Sequence, residues 1–223
     1  MTFFRPALAA AAVVLLTACG AARAPQAPAF QTGEAGAKAR AVADSLRYPY
    51  TQADIDFMSG MIHHHAQAIT MSKWAVSHGA SPAVQRLTAR IINAQTDEIA
   101  LMQTWLADRN QAPPTVDSLG KVTMPASAHG GHDMHGGHSM AMPGMLTDEQ
   151  MAELDAARGP EFDRLFLTYM IQHHRGAVTM VKTLFSNNGA GQDETIYKFA
   201  ADVEVDQSTE IRRMLQMLLE LNP

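Results

Sequence analysis

Two segments of this chain carry histidine and methionine at the same spacing. Residues 61–71 have the sequence MIHHHAQAITM, and residues 170–180 have the sequence MIQHHRGAVTM. Imidazole nitrogen and thioether sulfur both bind transition metals, and thioether sulfur prefers soft ions such as Cu(I). The two segments are therefore candidate halves of a metal site. Its candidate ligands are Met61, His64, His65, Met71, Met170, His173, His174 and Met180.

The duplication extends on both sides of the paired histidines. A D-x-x-F pattern precedes each segment, and a Q-x-x-E pattern follows it in the next predicted helix. A chain that repeats a helix pair in this way is expected to build one symmetric site from two halves. The repeated residues are Asp54, Phe57, Gln95 and Glu98 in the first copy, and Asp163, Phe166, Gln207 and Glu210 in the second.

Helical periodicity predicts that the paired histidines face inward. At about 100° per residue, His64 and His65 fall on the apolar face of their helix, whereas His63 points roughly opposite. Glu98 and Glu210 lie in the apolar stripes of the partner helices, where a buried carboxylate needs a cation, an imidazolium or a metal nearby. We therefore expect a buried site between the first and third long helices, supported by both glutamates. A plain hydrogen bond between histidine and glutamate would meet the same need, so a purely structural polar core stays open.

The residue types favour copper over iron. Thioether sulfur selects Cu(I) or its mimic Ag(I), whereas imidazole accepts Cu, Zn, Ni and Fe. A di-iron bundle carries Glu-x-x-His motifs and several inward carboxylates. This chain has Met-x-x-His-His at that place and one clear inward glutamate per helix pair. The patterns therefore predict a site for Cu(I) or Cu(II), with Cu(I) favoured.

A second group of histidines and methionines lies between the two copies. Residues 129–145 are rich in glycine and carry histidine at every third position of the first part. Such a composition is typical of a metal-chelating segment without packed structure, and we expect it to raise metal capacity without supporting the fold. Its candidate ligands are His129, His132, Met134, His135, His138, Met140, Met142 and Met145.

The apolar spacing predicts an all-α fold. We expect a four-helix bundle made of two duplicated hairpins, joined by a long loop over residues 110–146. A short extra helix should follow the capping box at Thr147. The predicted long helices are 51–75, 81–107, 160–185 and 193–221. The predicted inner stripe of the second helix is Leu87, Ile91, Ala94, Glu98, Leu101 and Trp105.

The N-terminal residues predict export and lipidation. Residues 1–18 have the form of a signal peptide, and Leu16-Thr17-Ala18-Cys19 has the form of a bacterial lipobox. Cys19, the expected lipidation site, is the only cysteine, so no intrachain disulfide can form. Residues 19–48 are rich in alanine and proline and are expected to be a lipidated tether. Residues 49–223 would then form the bundle.

The duplicated motifs resemble those of a known family. F-M-x-x-M-I-x-H-H at 57–65, F-L-x-x-M-I-x-H-H at 166–174 and the two Q-x-x-E-I patterns are similar to the exported bacterial family called domain of unknown function 305 (DUF305). The resemblance covers about residues 50–221. It implies a ferritin-like four-helix bundle and, as in some members, periplasmic copper binding and resistance. It also implies metal roles for the four paired histidines, with the neighbouring methionines as softer ligands.

Together these features predict an exported, lipid-anchored metal-binding protein. We expect it to store, buffer or transfer copper in the periplasm or on the extracytoplasmic face of the membrane, without catalysis. The alternatives are a ferritin-like oxidase of Cu(I) or Fe(II), and a helical module that docks a partner. The expected partners are metal ions, the membrane, and a copper exporter or cupredoxin-like protein. The net charge of −5 argues against nucleic acid.

Overall fold

The computed structural model of this chain describes residues 32–47, 49–117, 120–124 and 142–221, with the side chains of 44–47 excluded. The fold of these residues is all-α, as predicted, and the four long helices begin and end within two residues of their expected bounds. Two short strands form a small antiparallel hairpin after the second long helix. The elements are α1 Gly33–Arg47, α2 Gln52–Ser77, α3 Pro82–Asp108, β1 Thr115–Val116, β2 Val122–Thr123, α4 Asp148–Ala156, α5 Pro160–Ser186 and α6 Glu194–Leu221.

Local capping signals explain where the helices begin. Thr51 accepts a hydrogen bond from the backbone of Asp54, whose carboxylate accepts one in return, so a capping box starts α2. Thr147 starts α4 with the predicted capping box. Ser81 caps α3, and Pro82 occupies the first turn, where a missing backbone N–H costs nothing.

The long helices form two hairpins, α2 with α3 and α5 with α6, which meet along α2 and α5. Residues 57–62 near the start of α2 pack with residues 177–184 near the end of α5. Residues 71–75 near the end of α2 pack with residues 162–171 near the start of α5. These two groups are the first and second apolar halves of the core. The packing shows that α2 and α5 run antiparallel, so an approximate two-fold axis relates the two hairpins.

The repeated aspartates join the two hairpins at opposite ends of the bundle. Asp54, at the start of α2, accepts a 2.7 Å hydrogen bond from the backbone N–H of Gly191 in the α5–α6 turn. Asp163, at the start of α5, accepts bonds of 3.1 and 3.2 Å from the backbone N–H of Ser81 in the α2–α3 turn. The aspartate of each D-x-x-F pattern therefore binds the turn of the other hairpin.

The structure differs from two expectations. Residues 33–47 form α1 inside the segment expected to be a tether, since its frequent alanines favour helix and Ala41 is buried beside α3. The middle of the predicted inner face of α3 also differs. Leu87, Ile91 and Trp105 are buried as predicted, but Ala94 and Leu101 are exposed, and the neighbouring residues Gln95, Ile99 and Met102 are buried instead.

This difference in the middle of α3 places Glu98 at the edge of the core. Its side chain is 22 % exposed, and that of Glu210 is 16 % exposed. Both carboxylates therefore keep some contact with water, contrary to the expectation that they lie in the middle of an apolar face. No helix in the described ranges is long and apolar enough to cross a membrane.

Candidate metal centre

Four histidines form a polar layer between the two apolar halves of the core. His64 and His65 lie on α2 between the segments that pack in each half, and His173 and His174 do so on α5. All four side chains are 0 % exposed. His63 is exposed, as the periodicity predicts.

His64 and His173 occupy equivalent positions in the two copies and meet at the approximate two-fold axis. Their ring centroids lie 3.8 Å apart, with a 39° angle between the ring planes. This contact brings the two predicted half-sites together in the centre of the bundle. The contact results from the antiparallel packing of α2 on α5, because equivalent residues of the two copies then face one another near the two-fold axis.

His65 and His174 each hydrogen bond to a glutamate on the neighbouring helix. The distance from Nε2 of His65 to Oε2 of Glu98 is 2.6 Å, and that from Nε2 of His174 to Oε2 of Glu210 is 2.7 Å. The sequence prediction that both glutamates support the paired histidines therefore matches their positions. The two copies use the same ring nitrogen for this bond.

The remaining ring nitrogens of the layer are buried without a partner. Nδ1 of His64, His65 and His174 has no hydrogen-bond partner in the described parts of the chain, and neither nitrogen of His173 has one. An unpaired buried polar atom costs about 1–3 kcal/mol, so such a concentration is what a ligand-binding site would show. A histidine that ligates a metal commonly donates its other N–H to a carboxylate or a carbonyl, which is the arrangement seen at His65 and His174.

The central pair of histidines is held in its neutral form. Burial, with a smaller contribution from the nearby His65, lowers the pKa of His64 to about 3. Burial, followed by the proximity of His64 and His174, holds the pKa of His173 well below its usual value. A neutral imidazole keeps a lone pair available for a metal, whereas an imidazolium does not.

The predicted methionines occupy two different environments. Met61, in the first apolar half, and Met71 and Met170, in the second, are 0 % exposed and fill the core on either side of the histidines. Met180 is partly buried beside the first half. Its Cε and the Sδ of Met142 both lie against Gly60, one helical turn before His64, at 3.5 and 3.4 Å from the position of a Cβ.

Residues 142–146, which we name the strap, are packed against α2 and α5 rather than free. Pro143 and Gly144 approach Gly176 so closely that a Cβ on Gly176 would lie 1.8 Å from the carbonyl oxygen of Pro143. Gln67 donates to the carbonyl of Leu146 and accepts from its N–H, at 3.0 and 2.8 Å. The expectation that the whole segment 129–145 is unpacked is therefore wrong for Met142 and Met145, because Gly176 and Gln67 give the strap a seat that composition does not reveal.

The strap reaches the histidine layer directly. The carbonyl of Pro143 lies 3.0 Å from Nε2 of His64. Gln172, the counterpart of His63, also approaches the strap, with its amide nitrogen 3.4 Å from the carbonyl of Gly144. Nothing in the spacing of the sequence predicted these contacts.

Several predicted residues lie outside the described residues. They are Cys19, His129, His132, Met134, His135, His138 and Met140. Sequence reasoning also gave no role to Gln95 and Gln207. Each is buried, with an Oε1 atom that has no hydrogen-bond partner in the parts of the chain that the structure describes. The repeated Q-x-x-E pattern was the signal for both.

The side chains of the layer do not form a preformed cage. Within the described ranges, no group of three or more His, Cys, Asp or Glu side chains is placed to hold a metal ion together. The donors in this part of the core are therefore the imidazoles of the layer and the thioethers of the apolar halves on either side of it. Soft ions are the ones that a mixed nitrogen and sulfur donor set selects.

Comparisons with known proteins agree with the duplicated pattern. The profile of the family described as domain of unknown function 305 (DUF305) matches residues 54–218. A DUF305 protein from Streptomyces coelicolor, which is inferred to be secreted, has a similar structure, with a TM-score of 0.60 and 27 % identity over 76 % of this chain and 94 % of that one.

Two other relatives are informative. CopM in a Cu(II)-bound form has a TM-score of 0.56 and 30 % identity, over 75 % of this chain and 96 % of CopM. CopM is also similar in its Cu(I)-bound and Ag-bound forms, with TM-scores of 0.55 and 0.52. The uncharacterized protein L153 of Acanthamoeba polyphaga mimivirus is 45 % identical over 62 residues, which span 26 % of this chain and 41 % of the length of that protein.

Proposed function

Because this chain belongs to the DUF305 family, we propose that it binds copper outside the cytoplasm and stores, buffers or transfers it. The observation that carries the proposal is the buried histidine layer. Three of its four histidines bond through Nε2 and leave Nδ1 without a partner, and His173 has two unpartnered nitrogens. Binding to a metal ion would satisfy a ring nitrogen of this kind.

The chemistry of the donors favours Cu(I) among the copper oxidation states. The central imidazoles are neutral, and thioether sulfur lies on both sides of the layer in Met61 and Met170. Neutral nitrogen and sulfur donors suit a soft monovalent cation better than Mg²⁺ or Ca²⁺, which require several oxygens. The structures of CopM with Cu(I), Cu(II) and Ag support the same range of ions for this chain.

We propose a binding role rather than catalysis. A ferritin-like oxidase would need several carboxylates to bridge and hold its metals. In the described part of this chain, Glu98 and Glu210 are each already bonded to a histidine of the layer. Oxygen consumption with Cu(I) or Fe(II) as the only reductant tests this point, and turnover above the rate of the free ions would favour the oxidase.

The proposed location is the extracytoplasmic face of the membrane, with a lipid on Cys19. The lipobox supports the anchor, and the S. coelicolor relative, which is inferred to be secreted, supports export. A carrier at this location would exchange copper with an exporter or a cupredoxin-like protein.

Metal-dependent stabilisation tests the proposed site. The chain from residue 20 onward, with the histidines and methionines of 129–140 changed to serine, isolates the bundle. A ligand that binds only the folded state stabilises it by about 2.7 kcal/mol at a hundredfold excess over its dissociation constant. Cu(I) or Ag(I) should therefore raise the melting temperature clearly more than Zn(II) or Mg(II).

Two variants make the test specific. The double variant His64→Ala, His173→Ala should lose the increment, because it removes both central imidazoles. The control His63→Ala should keep it, since His63 is the exposed neighbour on the same helix. Equal stabilisation by Zn(II) would contradict the preference for soft ions. An unchanged Cu(I) shift in the double variant would leave the histidines as a structural polar core.

A further inference from the structure

The histidine layer uses the same ring nitrogen in three places. Nε2 bonds to Glu98 in His65, to Glu210 in His174 and to the carbonyl of Pro143 in His64. A carbonyl oxygen can only accept, so His64 carries its proton on Nε2 when this bond is made. Its lone pair is then on Nδ1, which is buried and has no partner among the described residues.

The Pro143 carbonyl is held in place by the contacts of the strap with Gly176 and Gln67. Gly176 leaves the space that the carbonyl fills, since any side chain there would collide with Pro143 and Gly144. Gly144 has a φ of +78°, which glycine adopts without strain. Gln67 fixes the next turn of the strap through two bonds to the backbone of Leu146. The strap is therefore fixed on both sides of its contact with His64, by Gly176 at Pro143 and Gly144 and by Gln67 at Leu146.

The same contact breaks the symmetry of the site. One strap crosses the α2–α5 groove, and its carbonyl bonds to His64 of the first copy. His173, the equivalent residue of the second copy, has no acceptor for either ring nitrogen in the described structure. Gln67 on α2 and Gly176 on α5 occupy equivalent positions in the two repeats. Gln67 bonds to the backbone of Leu146, whereas Gly176 leaves space for Pro143 and Gly144. The strap therefore fits the groove between α2 and α5 in one orientation.

We propose that the strap is part of the metal centre, with Pro143 acting as a positioning residue that presents Nδ1 of His64 to the ion. This inference rests on the proposed copper-binding function. Glu98 and Glu210 position His65 and His174 in the same way. The strap and the two glutamates thus fix which ring nitrogen carries the proton in His64, His65 and His174, and they leave the lone pair of each on Nδ1.

Gly176→Ala tests the role of the strap. Its Cβ would displace the Pro143 carbonyl from His64, while alanine favours the α5 helix over glycine. Loss of a partner that orients a metal-bound histidine typically weakens metal binding by about 10- to 100-fold. We therefore expect the Ag(I) dissociation constant to rise at least about tenfold, in chloride-free buffer and in the background with serine at the ligands of 129–140.

Gln67→Glu is a second, milder variant. Glutamate keeps the acceptor for the Leu146 N–H and loses the donor to its carbonyl, so the strap should be loosened without a steric change. Its Ag(I) affinity should lie between those of wild type and Gly176→Ala. The matched control is Thr179→Ala on α5, because Thr179 is exposed and its hydroxyl bonds to the carbonyl of Arg175 in its own helix.

The imidazole tautomer provides a readout that a merely structural role would not move. In the metal-free chain, NMR of labelled histidine should show His64 protonated on Nε2, and Gly176→Ala should convert it to a mixture of tautomers. Addition of Ag(I) should shift Nδ1 of His64, with Nε2 keeping its proton.

The outcomes separate the proposal from the function on which it rests. If wild type binds no Ag(I) or Cu(I), the proposed function fails, whatever the tautomer shows. If wild type binds and Gly176→Ala binds equally well, the strap has no part in the centre. Tighter binding or faster uptake in Gly176→Ala would make the strap a lid that competes with the metal, which also overturns the proposal.

Discussion

At the scale of single residues, the buried imidazoles of His64 and His173 link stability to pH. Both have a pKa below the ordinary value of 6.5, because burial disfavours the charged ring. The unfolded chain therefore takes up protons below pH 6.5 that the folded chain does not. The contribution to stability is fully present above pH 6.5 and is lost as the pH falls towards the folded-state pKa, about 3 for His64. The titratable groups that face this pair are His65 and His174, which are hydrogen bonded to Glu98 and Glu210 respectively.

We therefore predict a loss of metal-free stability in mild acid. Between pH 7 and pH 5, His64 should lower the free energy of unfolding by about 2 kcal/mol, and His173 should lower it further. His173→Gln should reduce the total loss, because glutamine does not titrate there. Urea denaturation at several pH values measures the effect. If the unfolding free energy of wild type depends on pH no more than that of His173→Gln, then His173 takes up its proton equally in the folded and unfolded chains, which contradicts the prediction. His63→Gln, at an exposed position, should change the slope less.

Asp54 and Asp163 illustrate how a residue acts between elements. Each binds the turn of the other hairpin, and Asp54 also closes the capping box of α2. Hydrogen bonds to a charged group contribute about 1.5–3 kcal/mol, and a lost cap costs about 1 kcal/mol more. These contacts act on the angle and register at which the hairpins meet, and so on the distance between His64 and His173.

We predict that Asp54→Ala is more destabilising than Asp163→Ala. The expected losses in unfolding free energy are about 3 kcal/mol and about 2 kcal/mol, measured by urea denaturation. The control Asp56→Ala, at an exposed position of α2, should change it by less than about 0.5 kcal/mol. Equal small effects at all three positions would mean that the packed core alone sets the pairing of the hairpins.

At the scale of elements, the strap separates two roles within residues 129–145. Replacing the histidines and methionines of 129–140 with serine should lower copper stoichiometry by at least one ion and leave the metal-free melting temperature unchanged. Deleting 129–145 should lower that temperature, because it removes most of the strap. Mass spectrometry and thermal denaturation measure the two effects. Full copper stoichiometry after the serine replacement would contradict the chelator hypothesis.

At the scale of the whole molecule, the proposed lipid on Cys19 would determine where the bundle works. The lipobox predicts that lipid is attached to Cys19 and that the signal peptide is cleaved before it. Cys19→Ser should therefore yield an uncleaved precursor or a soluble exported protein, as shown by fractionation and by labelled fatty acid. Wild type should resist extraction with salt, because several acyl chains hold firmly where one does not. A Cys19→Ser protein that is cleaved and stays in the membrane would contradict the anchor.

The sequence by itself determined the helices, the duplication and the inward side of the paired histidines. These features follow from local rules, since apolar spacing, capping residues and prolines act within a few turns of one helix. The D-x-x-F and Q-x-x-E patterns also identified side chains that join the two copies, although their partners were not predictable. For α3, the predicted face is correct at Leu87, Ile91 and Trp105, and it is one residue away from the buried positions in the middle of the helix. A helical face assigned at a fixed angle per residue does not include how neighbouring helices pack against it, and this packing decides which residues are buried.

Tertiary structure alone decided how the copies meet. The contact of His64 with His173 depends on the antiparallel packing of α2 and α5, and the α1 helix gains its buried Ala41 beside α3. The strap is the clearest case, because its composition indicates an open chelating loop. Its seat exists only where Gly176, Gln67 and His64 are brought together from separate helices. Contacts between distant parts of a chain depend on shape and close packing, which a local pattern does not contain.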